Sequence, residues 1–178
     1  MTLLAASTLA GCGYSRIREL DERALEARSD IEIHLLRRAE LAPTLVETSQ
    51  RYAQLESPLV EAVADSRVGL VAAVRSTDLS AMESASLSLS DALSQLLAAT
   101  AGYADLQADP GFQRLLVQLE DTRQQVVRAG QRYNEAVRLY NEYIGGFPQM
   151  VTAKIIGAES RPPYGVPEAS DSVSPADR

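Results

Sequence analysis

One cysteine, one histidine, no tryptophan and two phenylalanines in 178 residues exclude several classes of protein at the outset. A lone Cys12 allows no disulfide framework, and a lone His34 allows neither a paired-histidine metal site nor a second base. Di-iron bundles need Glu-x-x-His from two helices, whereas Ile31 stands three residues before His34. There is no Cys-x-x-Cys-His for haem, no glycine loop for phosphate and no Gly-x-Ser-x-Gly nucleophile turn. Basic residues are scattered among acidic ones and the net charge is −7, so no positive stripe exists to hold nucleic acid or anionic lipid. No apolar run approaches the ~18 residues a membrane-spanning helix needs.

Hydrophobic residues make up 46% of the chain and aromatic ones 5%, so the core must be built from Leu, Val, Ile and Ala. That composition favours close-packed helices over sheets. Gly and Pro are sparse from Ile17 onward, and three interruptions divide the helical texture. Ser76-Thr77-Asp78 ends one run and opens another, with Ser80 and Glu83 placed for a capping box. Asp109 and Pro110 form a helix start. Gly145-Gly146-Phe147-Pro148 forms a stop.

After the second start, apolar residues recur every seven positions: Phe112, Leu119, Val126, Tyr133, Tyr140 and Phe147. Their companions are Leu115, Thr122, Ala129, Ala136 and Tyr143. Large residues facing small ones along one stripe define the seam of a left-handed bundle. Met82, Leu89, Leu96 and Tyr103 repeat the step upstream, opposite a face of Ser and Ala. The segment from Ile17 to Arg75 would reach ~88 Å as one helix, so it is expected to fold back. Pro43 gives four helices of comparable length; Ser57-Pro58 offers a better cap but unequal ones.

The expected architecture is therefore all-α, an antiparallel up-and-down four-helix bundle with coiled-coil-like seams. Its helices are placed at about 17–42, 43–75, 78–103 and 110–144, within a domain spanning 17–157. The apolar stretch 150–156 is expected to cover the bundle end, the other reading being a finger for lipid or a partner. Residues 158–178 are rich in Pro and Ser and are expected to be disordered. His34 lies in the step Leu20, Ala27, His34, Leu41, which makes it a core or boundary histidine rather than a catalytic base. No catalytic residue, metal or cofactor is expected. The acidic residues interleave with Arg as on a solvated helix face. Arg37-Arg38 is the one local basic pair.

The opening residues end in Leu9-Ala10-Gly11-Cys12, which resembles the lipobox of bacterial lipoprotein precursors. The resemblance implies a signal peptide over 1–11, cleavage between Gly11 and Cys12, and a diacylglycerol and palmitate anchor on Cys12, with 12–16 as a short tether. The basic n-region of such signals is missing, which implies a start upstream of Met1. Two or three acyl chains hold firmly where one does not. The domain would then sit on the periplasmic, extracytoplasmic side of a bacterial membrane, with the outer membrane as an open alternative to the inner.

Two further stretches are similar to the LemA family of bacterial envelope proteins. One contains Arg37, Arg38, Pro43 and Leu45, in a run like the family's Arg-Arg-x-Asp-Leu-Ile-Pro-Asn-Leu-Val-Glu-Thr. The other runs from Tyr103 through Tyr133-Asn134 and Tyr140-Asn141 to Phe147-Pro148, and Arg161-Pro162-Pro163-Tyr164 resembles the family's closing motif. The likeness covers most of residues 17–165. It implies a small antiparallel helical bundle outside the cytoplasm and brings no catalytic residues. The chain departs from the family pattern at His34-Leu35-Leu36, at Thr44, and in having a lipobox leader instead of a longer anchor helix. The function implied is a membrane-anchored, non-catalytic interaction or scaffold module partnered with another envelope protein. The alternative is a carrier of a lipid or other apolar ligand in the bundle core.

Overall fold

A computed structural model describes residues 3–165, with side chains from Gly13 onward. The leader's side chains, the Cys12 thiol and the tail 166–178 lie outside the described residues, and with them the lipobox and most of the expected disordered tail. All regular structure among the described residues is helical: α1 (Leu3–Gln50), α2 (Ser57–Ser76), α3 (Leu79–Thr100), α4 (Ala104–Ala108), α5 (Pro110–Gly145) and α6 (Gln149–Ile156). Six helices thus stand where four were expected. The residues expected to form a tether after Cys12 belong to α1.

The break expected at Pro43 is absent, because α1 runs through it. Proline withholds the N–H that would bond the carbonyl four residues back, that of Ala39. Arg67 on α2 supplies the missing donor, its Nε reaching Ala39 O at 3.1 Å. The ring of Pro43 is exposed and displaces nothing in the core. The chain turns at 51–56 instead, and Pro58 sits in the first turn of α2, where a missing N–H costs nothing. Ser57 does not cap that helix; the cap position is Glu56, which makes no side-chain cap bond.

Thr77, at φ 58°, closes α2 in the left-handed region. Asp78 then caps α3 by accepting from the amides of Ser80 (2.9 Å) and Ala81 (3.2 Å). The capping box expected of Ser80 and Glu83 does not form, since Asp78 starts the helix earlier and Glu83 accepts from the Gly165 amide. Asp109 caps α5, taking the Phe112 amide at 2.7 Å. A Cβ on Gly111 would stand 2.9 Å from that Asp109 oxygen, which accounts for glycine there.

The described chain forms two compact units. One contains the chain up to Asp30 with Arg128–Tyr164; the other contains Ile31–Val127 with Gly165. In the first, Ile17 and Leu20 of α1, Tyr140 and Ile144 of α5 and Ala153 of α6 make one core cluster. In the second, Ile31, Leu35, Leu45, Val63, Leu70, Met82, Leu89, Leu96, Leu106 and Phe112 are buried. Each such large side chain contributes roughly 1.5–3 kcal/mol of apolar burial. Small residues let α2 and α3 approach closely, and Ser66 and Ser88 share a 3.2 Å hydroxyl contact.

On α5 the seven-residue stripe Phe112, Leu119, Val126, Tyr133 and Tyr140 is buried throughout. The stripe fails at Phe147, which is 82% exposed, because α5 ends at Gly145 and the helical step ends with it. Tyr103 leaves its stripe for the same reason: α3 stops at Thr100 and Tyr103 becomes the residue before α4.

Two further expectations are reversed after α5. Helix α6 does not bury its apolar residues as an end cover; Ala153 alone is buried, while Met150, Val151, Ile155 and Ile156 are exposed. Residues 158–164, expected to be loose, return along α5 and bury Tyr164 to 1% exposure. Side chains of α5 give this segment's backbone the partners that its own composition lacks.

Candidate functional site

The polar residues most closely tied together in the first unit are Asn134 and Asn141, each directly after a buried tyrosine of the α5 stripe. One residue along a helix turns ~100°, so each Asn stands at the edge of the seam its Tyr enters. Asn134 donates from Nδ2 to Tyr164 O at 2.8 Å and accepts the Tyr164 amide at 2.7 Å. Asn141 does the same for Arg161, donating to its carbonyl at 2.9 Å and accepting its amide at 2.9 Å. Each side-chain amide therefore pairs with one backbone residue as a neighbouring β-strand would.

Spacing explains why two such pairs fit at once. Seven helical residues rise ~10.5 Å, and three residues of extended, polyproline-like chain span ~9.3 Å. Between the two gripped residues stand Pro162 and Pro163, which have no N–H to satisfy. The Pro162 carbonyl accepts from the Tyr133 hydroxyl at 3.1 Å. A strap with two amides thus meets a helix offering two acceptors at matching intervals.

Charge completes the clamp. Arg161 donates through Nε to Asp21 Oδ1 of α1 at 2.7 Å, with a second guanidinium nitrogen at 2.6 Å from the same oxygen. Its guanidinium also lies 5.7 Å from the centre of the Tyr140 ring, within cation–π range. Burial raises the Tyr133 phenol above its ordinary value, partly offset by Arg161 and Arg28. Burial and then the Asp21 carboxylate raise that of Tyr140. Both phenols are neutral at pH 7, and the Tyr133 hydroxyl remains a donor. The arrangement holds extended backbone.

Beside the strap lies an open cleft of about 790 Å³, with Tyr14, Ile17, Asp21, Tyr140, Ile156 and Arg161 in its wall. Among the described residues no group of His, Cys, Asp and Glu could hold a metal ion.

The remaining residues singled out in the sequence do not join this site. Arg38 is buried in the second unit and donates to Ser90 Oγ of α3 at 2.9 Å, while Arg37 is exposed. Leu45 is fully buried and Pro43 exposed, His34 is half-buried, and Tyr103 and Phe147-Pro148 are exposed. The sequence reading missed Asp21 and Arg67 as partners, and it missed what Asn134 and Asn141 hold, whereas it did place Asp109 as the cap of α5. The usable signal was the Tyr-Asn pair repeated after seven residues, together with two prolines between two residues that each need an amide partner.

The fold and this clamp define an all-helical protein whose best-built polar site holds its own C-terminal segment. The chain belongs to the LemA family, whose family model matches residues 27–176 and so takes in both Tyr-Asn pairs and the strap. No curated protein matches it.

Proposed function

We propose that this chain is a lipid-anchored, non-catalytic protein of the bacterial envelope, acting as an interaction or scaffold module for another envelope protein. The observation carrying this reading is Leu9-Ala10-Gly11-Cys12, followed within five residues by a buried core residue, Ile17. An acylated Cys12 would leave almost no flexible linker, since α1 is continuous from the leader into the domain. No helix among the described residues is long and apolar enough to cross a membrane; in this reading the acyl chains on Cys12 supply the anchorage. An antiparallel helical bundle with coiled-coil-like seams fits the role, because buried stripes make it rigid while charged faces stay free for a partner. The lack of catalysis rests on the poverty of chemistry: one His, one Cys, and a clamp spent on backbone.

Palmitate labelling of the wild type and Cys12→Ser, followed by membrane fractionation, tests the anchor. Label and membrane association should both vanish in the variant; an unlabelled, soluble wild type would end the reading. Cross-linking in membranes should trap one or a few specific proteins. A carrier of an apolar ligand has less support. Three small residues of α5 could leave room for one, Ala129, Gly130 and Ala136; the first two are buried and Ala136 is half-buried. Mass spectrometry showing a retained lipid on the purified chain would revive it.

A further inference from the structure

We infer that α6 is a membrane-contacting helix whose exposed apolar face enters the lipid surface beside the anchor; this rests on acylation of Cys12. The polarity of α6 is inverted for a helix in water. Its inner face is small, with Ala153 buried and Thr152 half-buried, whereas its large apolar residues are exposed, with Lys154 among them. Val151 and Ile155 are 51% and 79% exposed, and Phe147, a further four residues back, is 82% exposed. Met150 stands beside them at 49%. A step of four residues places Val151 and Ile155 on one face of α6, and Phe147 stands in the turn just before the helix. Contiguous apolar surface of this kind marks a contact site rather than ordinary solvent exposure.

The position of α6 selects lipid as the occupant. A Cβ on Gly13 would lie 3.7 Å from Thr152 Oγ1, so α6 rests against α1 at the residue following Cys12. Neighbouring Cα atoms are ~3.8 Å apart, so an acylated Cys12 brings Gly13, and the helix touching it, to the headgroups. An amphipathic helix at that level buries its apolar face ~5–10 Å into the interface. The net charge of −7 gives no attraction to anionic lipid, so the contact is apolar and needs no acidic headgroup.

The chain has no tryptophan, which makes a single introduced one an unambiguous reporter. Ile155→Trp and Phe147→Trp, in the full acylated chain, are reconstituted into phosphatidylcholine vesicles with or without lipid brominated along its acyl chains. Both reporters should shift to the blue and lose about half or more of their emission to the brominated lipid. Leu25→Trp, exposed farther along α1, should keep its emission. Two unquenched reporters on vesicles that retain the chain would overturn the inference and leave the anchor standing. A wild type that fails to sediment with vesicles, like Cys12→Ser, would instead remove the anchor and this inference with it. Reporters silent in vesicles yet blue-shifted in native membranes would assign the face to a protein and overturn the lipid.

Discussion

Two segments follow α5, and each does the opposite of what its composition suggests. The apolar one, α6, leaves Val151 and Ile155 largely exposed, while the proline-rich strap buries Tyr164 almost completely. The difference lies in what the backbone needs. Helix α6 satisfies its own amides and can dock through Ala153 alone. The strap cannot satisfy its amides internally, and Asn134 and Asn141 do it for them. Order after α5 follows hydrogen-bond partners more closely than hydropathy.

The largest effect expected is at the strap's buried ring. Tyr164→Ala should cost ~3–5 kcal/mol, the range for emptying an aromatic site, read as a lower urea midpoint. A loss well below 1 kcal/mol would mean that the strap is not part of the folded core. Asn134→Ala and Asn141→Ala each strand a backbone amide and a carbonyl and should cost ~1–3 kcal/mol. Both should also open 158–165 to proteases, whereas α6 substitutions should not.

Borrowed backbone partners recur on α1, where they predict a coupling. Pro43→Ala should stabilise the chain by ~1–2 kcal/mol, less than the ~3 usual for a mid-helix proline, because Ala39 O is already bonded. Arg67→Met should then cost ~0.5–1.5 kcal/mol more in the presence of Pro43 than in its absence. A double-mutant cycle showing no coupling would contradict the assigned role of Arg67.

Asp109 applies the same rule to an ionisable group. The Phe112 amide first, and the Tyr52 hydroxyl next, hold its carboxyl below the ordinary 3.8. A lowered folded pKa stabilises above the unfolded value and loses that contribution as pH falls through the folded one. Asp109→Asn should therefore be less stable than wild type at pH 7, and the gap should close below about pH 4. A gap constant from pH 7 to pH 2 would remove the ionised cap. The smallest effect belongs to α6: Ile155→Ser should change stability by no more than ~0.5 kcal/mol, as an exposed side chain does.

Helical class and core seam were legible because period and burial coincide. Phe112 to Tyr140, and Met82, Leu89 and Leu96, are buried at the positions their seven-residue step assigns. The boundaries at 76–78, 109–110 and 145 were legible too, but the fold-back of the first long segment was not. Pro43 reads as a break in isolation, and its rescue depends on Arg67, a residue on another helix that no local pattern links to it. The strap was hidden for a related reason. Proline-rich composition signals disorder when a segment must order itself, and here the ordering groups sit on α5. Recognition of Tyr133-Asn134 and Tyr140-Asn141 as family motif residues located the site; that they grip backbone became visible only with residues 161 and 164 beside them.

Amide hydrogen exchange at Arg161 and Tyr164 tests the clamp most directly, since the two prolines between them contribute no amide. Both amides should be protected in the wild type, Asn141→Ala should release Arg161 foremost, and Asn134→Ala should release Tyr164. Exchange of both at unstructured-peptide rates in the wild type would contradict the account.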